Sequence, residues 1–92
     1  NGRGACLAGA RISELIRPGV VRLSTGAWFD PTSLGSAESL DKHGNPNVLT
    51  LDRGASGLSQ GCIAQTCLVD VERFTGELPP ITAHDRPEFV AR

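Results

Sequence analysis

The stretch HGNPNVLTLDRGASGLSQG, residues 43–61, holds four glycines, one proline, two asparagines and a single short apolar run. It suits neither helix nor strand. Loops longer than about 12–15 residues are uncommon in compact domains, and those that occur are usually functional or disordered. Which of the two applies here decides how the rest of the chain is read. Hydrophobic residues make up 39% and charged residues 21% of the sequence, and the net charge is -1. A chain of that composition is not held open by self-repulsion, so a functional loop is the better expectation.

Working outward, 92 residues amount to one domain at most. A chain this short buries only roughly 60–65% of its unfolded surface, so its stability should be marginal. A pI near 6.1 and the lack of a basic cluster argue against a nucleic-acid partner or an anionic membrane surface. No apolar stretch approaches the roughly 18 residues of a membrane span. The chain opens NGRGACLAG, contains no Met and enters an apolar alternation at once, which reads as a fragment of a longer protein. Cys6, Cys62 and Cys67 are odd in number and lack zinc-ligand spacing. They read as structural thiols, and they favour a reducing, cytoplasmic setting over a periplasmic one.

Residues 5–13 alternate loosely, with Cys6, Ala8, Ala10 and Ile12 on one face, as in a half-buried strand. Arg17-Pro18-Gly19-Val20 places Pro and Gly at the centre of a type II turn. That turn leads into the β-branched run Val20-Val21-Arg22-Leu23-Ser24, a second expected strand. Pro31 ends the next segment, and the Ser-, Gly- and acid-rich text up to Lys42 reads as surface loop. Thr66 to Phe74 alternates again, with Cys67, Val69 and Val71 on one face, and predicts a third strand. Beyond it, Pro79-Pro80 and Pro87 predict an extended tail. Several short strands joined by Gly/Pro turns point to a mainly β barrel or sandwich. Trp28 and Phe29, among the few aromatic residues, are expected to fill its core.

The long loop carries the candidate chemistry. Asn45, Asn47 and Gln60 each offer a carbonyl acceptor and an NH₂ donor, a paired edge that can read a flat heterocycle. Gly44, Gly54, Gly57 and Gly61 allow close backbone approach and the geometry of anion-binding nests. Asn and Gly equally serve turns, so from the residues alone both readings stand. No Ser/His/Asp set, acid/base carboxylate pair or Cys/His metal set is evident, which makes binding a better expectation than catalysis.

GVVRLSTGAWFDP (19–31), KHGNPNVLTLDRGASGLSQGCIAQTCLVDVERF (42–74) and TGELPP (75–80) together closely resemble the C-terminal end of the dimethyl sulfoxide reductase family of molybdenum enzymes, nearest to its biotin sulfoxide and trimethylamine N-oxide reductases. The resemblance covers nearly the whole chain. It implies that residues 1–92 are the C-terminal part of a molybdopterin dinucleotide-binding domain, an aspartate-decarboxylase-like double-psi β-barrel incomplete at its N-terminus. It also implies a bis-(molybdopterin guanine dinucleotide) molybdenum cofactor in the parent enzyme, an S-oxide or N-oxide as substrate, and the parent's remaining domains as partners. The isolated fragment would be inactive, since the metal ligand and substrate funnel of the family lie in other segments.

Residue by residue, the resemblance makes Asn47 the first candidate for a pterin or guanine hydrogen bond and Asn45 the second. Gln60 and the Gly61 N–H follow, with Gly44 and His43 beside them. Ala55 stands where relatives typically show Thr, so a hydroxyl contact there would fall to Ser56. Val48-Leu49-Thr50 is expected to form a short helical turn that the Asn47 side chain can cap. The alternative to this whole assignment is a free-standing, non-catalytic β-barrel binding or interaction module.

Overall fold

A computed structural model describes residues 1–61, 63 and 67–90. The chain organises around one buried segment, and that segment is not among the expected strands. Leu40–Asp41 (β2) runs parallel to Ala5–Cys6 (β1), with Ala5 opposite Leu40 and Cys6 opposite Asp41. The Leu7 N–H extends this ladder by donating to the Asp41 carbonyl at 2.8 Å. On its other side β2 meets Pro31 in an antiparallel bridge to Asp41. There the Thr32 N–H donates to the Leu40 carbonyl and the Lys42 N–H to the Asp30 carbonyl, both at 2.9 Å. Proline has no N–H to give a ladder, so it is tolerated at such an edge. The intervening loop is closed by hydroxyls: Ser39 Oγ accepts from the Ser33 N–H at 2.9 Å and lies 3.2 Å from Thr32 Oγ1.

The expected helical turn is present as a 3₁₀ turn, Pro46–Leu49. Its cap differs from the expectation. Asn45, not Asn47, is the N-cap, and its side-chain oxygen accepts the Asn47 N–H at 3.0 Å. The reason lies in Pro46, whose fixed φ and missing N–H suit the first helical position, which leaves the residue before it as the cap. This turn packs on the N-terminal segment so closely that a Cβ on Gly4 would lie 2.6 Å from the Val48 carbonyl oxygen. Asn1 Nδ2 and Arg3 Nε donate to the Leu49 carbonyl at 3.1 and 2.8 Å.

The Arg17–Val20 turn is as expected, with Gly19 at φ +79° and the Val20 N–H donating to the Arg17 carbonyl at 3.1 Å. The strands are not. Of the first expected strand only Ala5–Cys6 (β1) pairs, and besides β1, β2, the Pro31 bridge and a bridge at Gly54, residues 7–13, 20–24 and 67–74 carry no strand among the described residues; Thr66, the start of the third expected strand, lies outside them. What stands is the coarser reading: little helix, and extended or turning backbone throughout. No apolar side chain is buried among the described residues, and the buried side chains are Asp30, Asp41 and Asn45. Trp28 and Phe29 are 65% and 59% exposed, so they do not fill a core here. No helix among the described residues is long and apolar enough to cross a membrane.

Candidate functional site

The candidate loop is shaped by a residue that its text does not advertise. Asp41, wholly buried at the end of β2, turns its carboxylate into the loop that follows. Oδ1 accepts the N–H groups of Gly44 at 2.7 Å, Asn45 at 2.8 Å and His43 at 3.2 Å, while Oδ2 accepts that of Asp30 at 2.8 Å. Burying a carboxylate is costly unless its lone pairs are met, and four backbone donors meet them here. Gly44 completes the wrap at φ +87°, a conformation open to glycine, and a Cβ there would lie 2.9 Å from the Leu7 carbonyl oxygen.

This geometry corrects one expectation. The Gly44 N–H is spent on Asp41, so it is not a free donor for an anion-binding nest. Asn45 is likewise committed: it is buried, and its side-chain oxygen caps the 3₁₀ turn. Asn47 is the opposite case. It stands exposed on that turn, and its side-chain amide makes no hydrogen bond among the described residues. Two buried residues thus fix the position of an amide that the other described residues leave unbonded.

His43 is half-buried rather than solvated. Its Nδ1 meets the Trp28 backbone, 3.1 Å from the nitrogen and 3.2 Å from the carbonyl oxygen. His43 and Gly44 border an open groove of about 410 Å³, whose walls also include Gly9, Arg22, Ser24 and Thr25. Arg22, Ser24 and Thr25 are residue types that suit a polar, anionic ligand.

Gln60 and Gly61 belong to a separate turn. The Ala55 N–H donates to the Gly61 carbonyl at 2.8 Å, the Ser56 N–H to the Ser59 carbonyl at 2.9 Å, and Gln60 Nε2 to the Ser56 carbonyl at 3.2 Å. Among the described residues the Gly61 N–H has only a long 3.5 Å contact, to Ser59 Oγ. No hydrogen bond among the described residues joins this turn to residues 43–47. His43, Gly44, Asn45 and Asn47 are therefore one assembly, and Gln60 and Gly61 a second.

Two groups near the site have shifted pKa values. Asp30, 5% exposed, accepts from the Thr82 and Ala83 N–H groups and the Thr82 hydroxyl, with Lys42 Nζ 3.4 Å away. Burial pushes its pKa up, but these donors outweigh that and hold it at about 2. Cys6 is shifted the other way, raised chiefly by burial and then by the Asp41 charge against the lowering effect of the N-terminal ammonium. That keeps the half-buried thiol protonated and supports a structural role. Cys67 is half-buried too, and Cys62 lies outside the described residues. No group of three or more potential metal ligands occurs among the described residues.

Residues 1–68 match the model of the Molydopterin dinucleotide binding domain family. The chain belongs to that family. Relatives of this molydopterin dinucleotide binding domain agree. A trimethylamine-N-oxide reductase of Salmonella typhi is 50% identical over the whole chain. A biotin sulfoxide reductase of Cereibacter sphaeroides is 52% identical over 84% of the chain, and a dimethyl sulfoxide/trimethylamine N-oxide reductase from the same organism 42% over 96%. The chain spans only about a tenth of the length of these relatives, 10–11%.

Proposed function

We propose that this chain is the molybdopterin guanine dinucleotide-binding segment of a molybdenum oxidoreductase that reduces S-oxides or N-oxides. The observation that carries the reading is the Asn47 amide, presented free on a turn that Asp41 and Asn45 hold in place, in a chain of this family. The residues fit such a ligand in part. Asn47 offers an amide edge for a pterin or guanine, and Arg22, Ser24 and Thr25 line a groove suited to a pyrophosphate. The Gly44 backbone does not contribute as a nest. Gly61 and Gln60 are second contacts, on their own turn. When bound, the bis-(molybdopterin guanine dinucleotide) molybdenum centre supplies oxygen-atom transfer, while residues of this chain bind and orient it.

The same reading extends to architecture. Residues 1–92 form the C-terminal part of one domain, an aspartate-decarboxylase-like double-psi β-barrel. The runs 20–24 and 67–74 have strand composition but lack ladder partners within the described residues. In the parent enzyme they pair with strands supplied by its other segments.

Asn47→Ala and Asn47→Asp in the full-length parent test the assignment. Loss of the amide leaves a polar edge of the ligand unpaired at about 1–3 kcal/mol, so molybdenum content and activity fall. Asp keeps the size and the acceptor but removes both NH₂ donors and adds charge beside an anion, so it should do no better than Ala. Asn45 already supplies the cap, so a merely structural role at 47 predicts near-normal behaviour for Asp. Full cofactor occupancy in the Asp variant overturns recognition through the NH₂ group.

A further inference from the structure

The family model matches residues 1–68, yet a segment well beyond it is built into the site. The Thr82 N–H donates to Asp30 Oδ2 at 2.6 Å, the Ala83 N–H to the same oxygen at 3.0 Å, and the Thr82 hydroxyl to Oδ1 at 2.8 Å. Lys42 Nζ closes the cluster, 2.8 Å from Thr82 Oγ1 and 3.4 Å from Asp30 Oδ1. Directly after this clamp the chain turns, with the Asp85 N–H on the Thr82 carbonyl at 3.0 Å. The turn places the His84 ring edge-on to His43, centroids 5.1 Å apart at 90°, and 5.9 Å from the ring of Trp28.

Apolar packing does not explain this docking. Leu78, Ile81, Phe89 and Val90 on the same segment are 72%, 53%, 95% and 87% exposed. The attachment is polar and centred on one carboxylate. Asp30 is also tied to the loop, because its own N–H donates to Asp41 Oδ2 while Asp41 Oδ1 holds His43, Gly44 and Asn45. Two adjacent carboxylates therefore fasten the tail and the loop to a common base.

We infer that Thr82–His84 is a strap that completes the His43 side of the site, and that Asp30 is the positioning residue that holds it there. His84 then sets a second imidazole against His43, which itself borders the groove. The functional half of this inference rests on the dinucleotide-binding reading, whereas the Asp30 clamp does not.

The test uses the full-length parent, with hydrogen exchange at the Thr82 and Ala83 amides and cofactor retention on dilution as separate readouts. Asp30→Ala should raise exchange at both amides by at least about tenfold, since bonds to a charged acceptor are among the stronger ones. The Leu7 amide, bonded to the Asp41 carbonyl, should keep its wild-type rate, which distinguishes strap release from general loosening. Thr82→Val keeps the carboxylate and both backbone donors, so it should give a smaller rise and serves if Asp30→Ala does not fold. His84→Ala should leave the exchange unchanged but release the cofactor several-fold faster. Wild-type exchange at Thr82 and Ala83 in the Asp30 and Thr82 variants overturns the clamp. Wild-type cofactor retention in His84→Ala overturns the strap as part of the site, and does so independently of the Asn47 result.

Discussion

At the scale of single residues, the site is organised by Asp41, and the amides of the loop are what it organises. Its oxygens accept from four backbone N–H groups, three on Oδ1 and one on Oδ2. Asp41→Asn turns one acceptor into an NH₂ donor, so either the loop or Asp30 must face donor against donor. The expected result is a local loss of about 1–3 kcal/mol, read as faster hydrogen exchange at Gly44 and Asn45. An unchanged rate would show that the loop is held by something else. The sequence made Asn47 legible as an exposed candidate because amide and glycine residues stand out in a loop. Asp41 was hidden because it sits in a Ser- and acid-rich stretch that reads as solvent-facing. A signal did exist: Asp followed by Lys-His-Gly-Asn is the kind of text in which a carboxylate bonds the amides two to four residues ahead. The Asn45 cap was equally visible in the Pro that follows it.

At the scale of elements, what holds the tail is ionisable, so its docking depends on pH. Asp30 has a folded-state pKa near 2 against an ordinary value of 3.8. A depressed carboxylate contributes stability that is fully present above its unfolded value and is lost as pH falls through the folded one. The strap should therefore stay docked from neutrality down to about pH 4 and release between there and about pH 2. Asp41, whose carboxylate accepts the Asp30 N–H, is the neighbouring group to control for. Chemical shifts of the Thr82 and Ala83 amides followed against pH check this, and Asp30→Asn should abolish the transition. A midpoint at or above 4 would contradict the geometry. The clamp spans 52 residues of sequence, which is why local pattern could not foresee it. The strands failed for a related reason. Alternation in 20–24 and 67–74 reports which face would be buried, not which strand lies alongside, and pairing context decides whether a ladder forms. β2 is two residues long, preceded by a turn and followed by a bend, so it left no periodic trace.

At the scale of the molecule, the described residues hold together through polar contacts around β2 while many of their large apolar side chains face outward. Leu58 is 102% exposed, Ile12 101%, Leu15 94% and Leu68 93%, and no apolar side chain is buried among the described residues. The Cα radius of gyration is 15.7 Å, against about 12 Å for a compact chain of this length. A 92-residue chain already has little surface to spare, and with no apolar side chain buried among the described residues those residues lack the dominant favourable contribution to folding. Exposed apolar groups on that scale are interaction surface, and the reductase reading supplies what covers them: the other segments of the parent enzyme. Expressed alone, the 92 residues should bind a hydrophobic dye strongly, self-associate as concentration rises and exchange amide hydrogens freely across residues 53–61. They should also give no reduction of biotin sulfoxide or trimethylamine N-oxide from a dye electron donor, because this segment binds a cofactor rather than carrying the chemistry itself. The full-length parent should differ in all four respects. Slow exchange through residues 53–61 in the isolated chain, with a monomeric sedimentation profile and no dye binding, would show that the segment folds without partners, and would favour a free-standing binding module over a piece of a reductase.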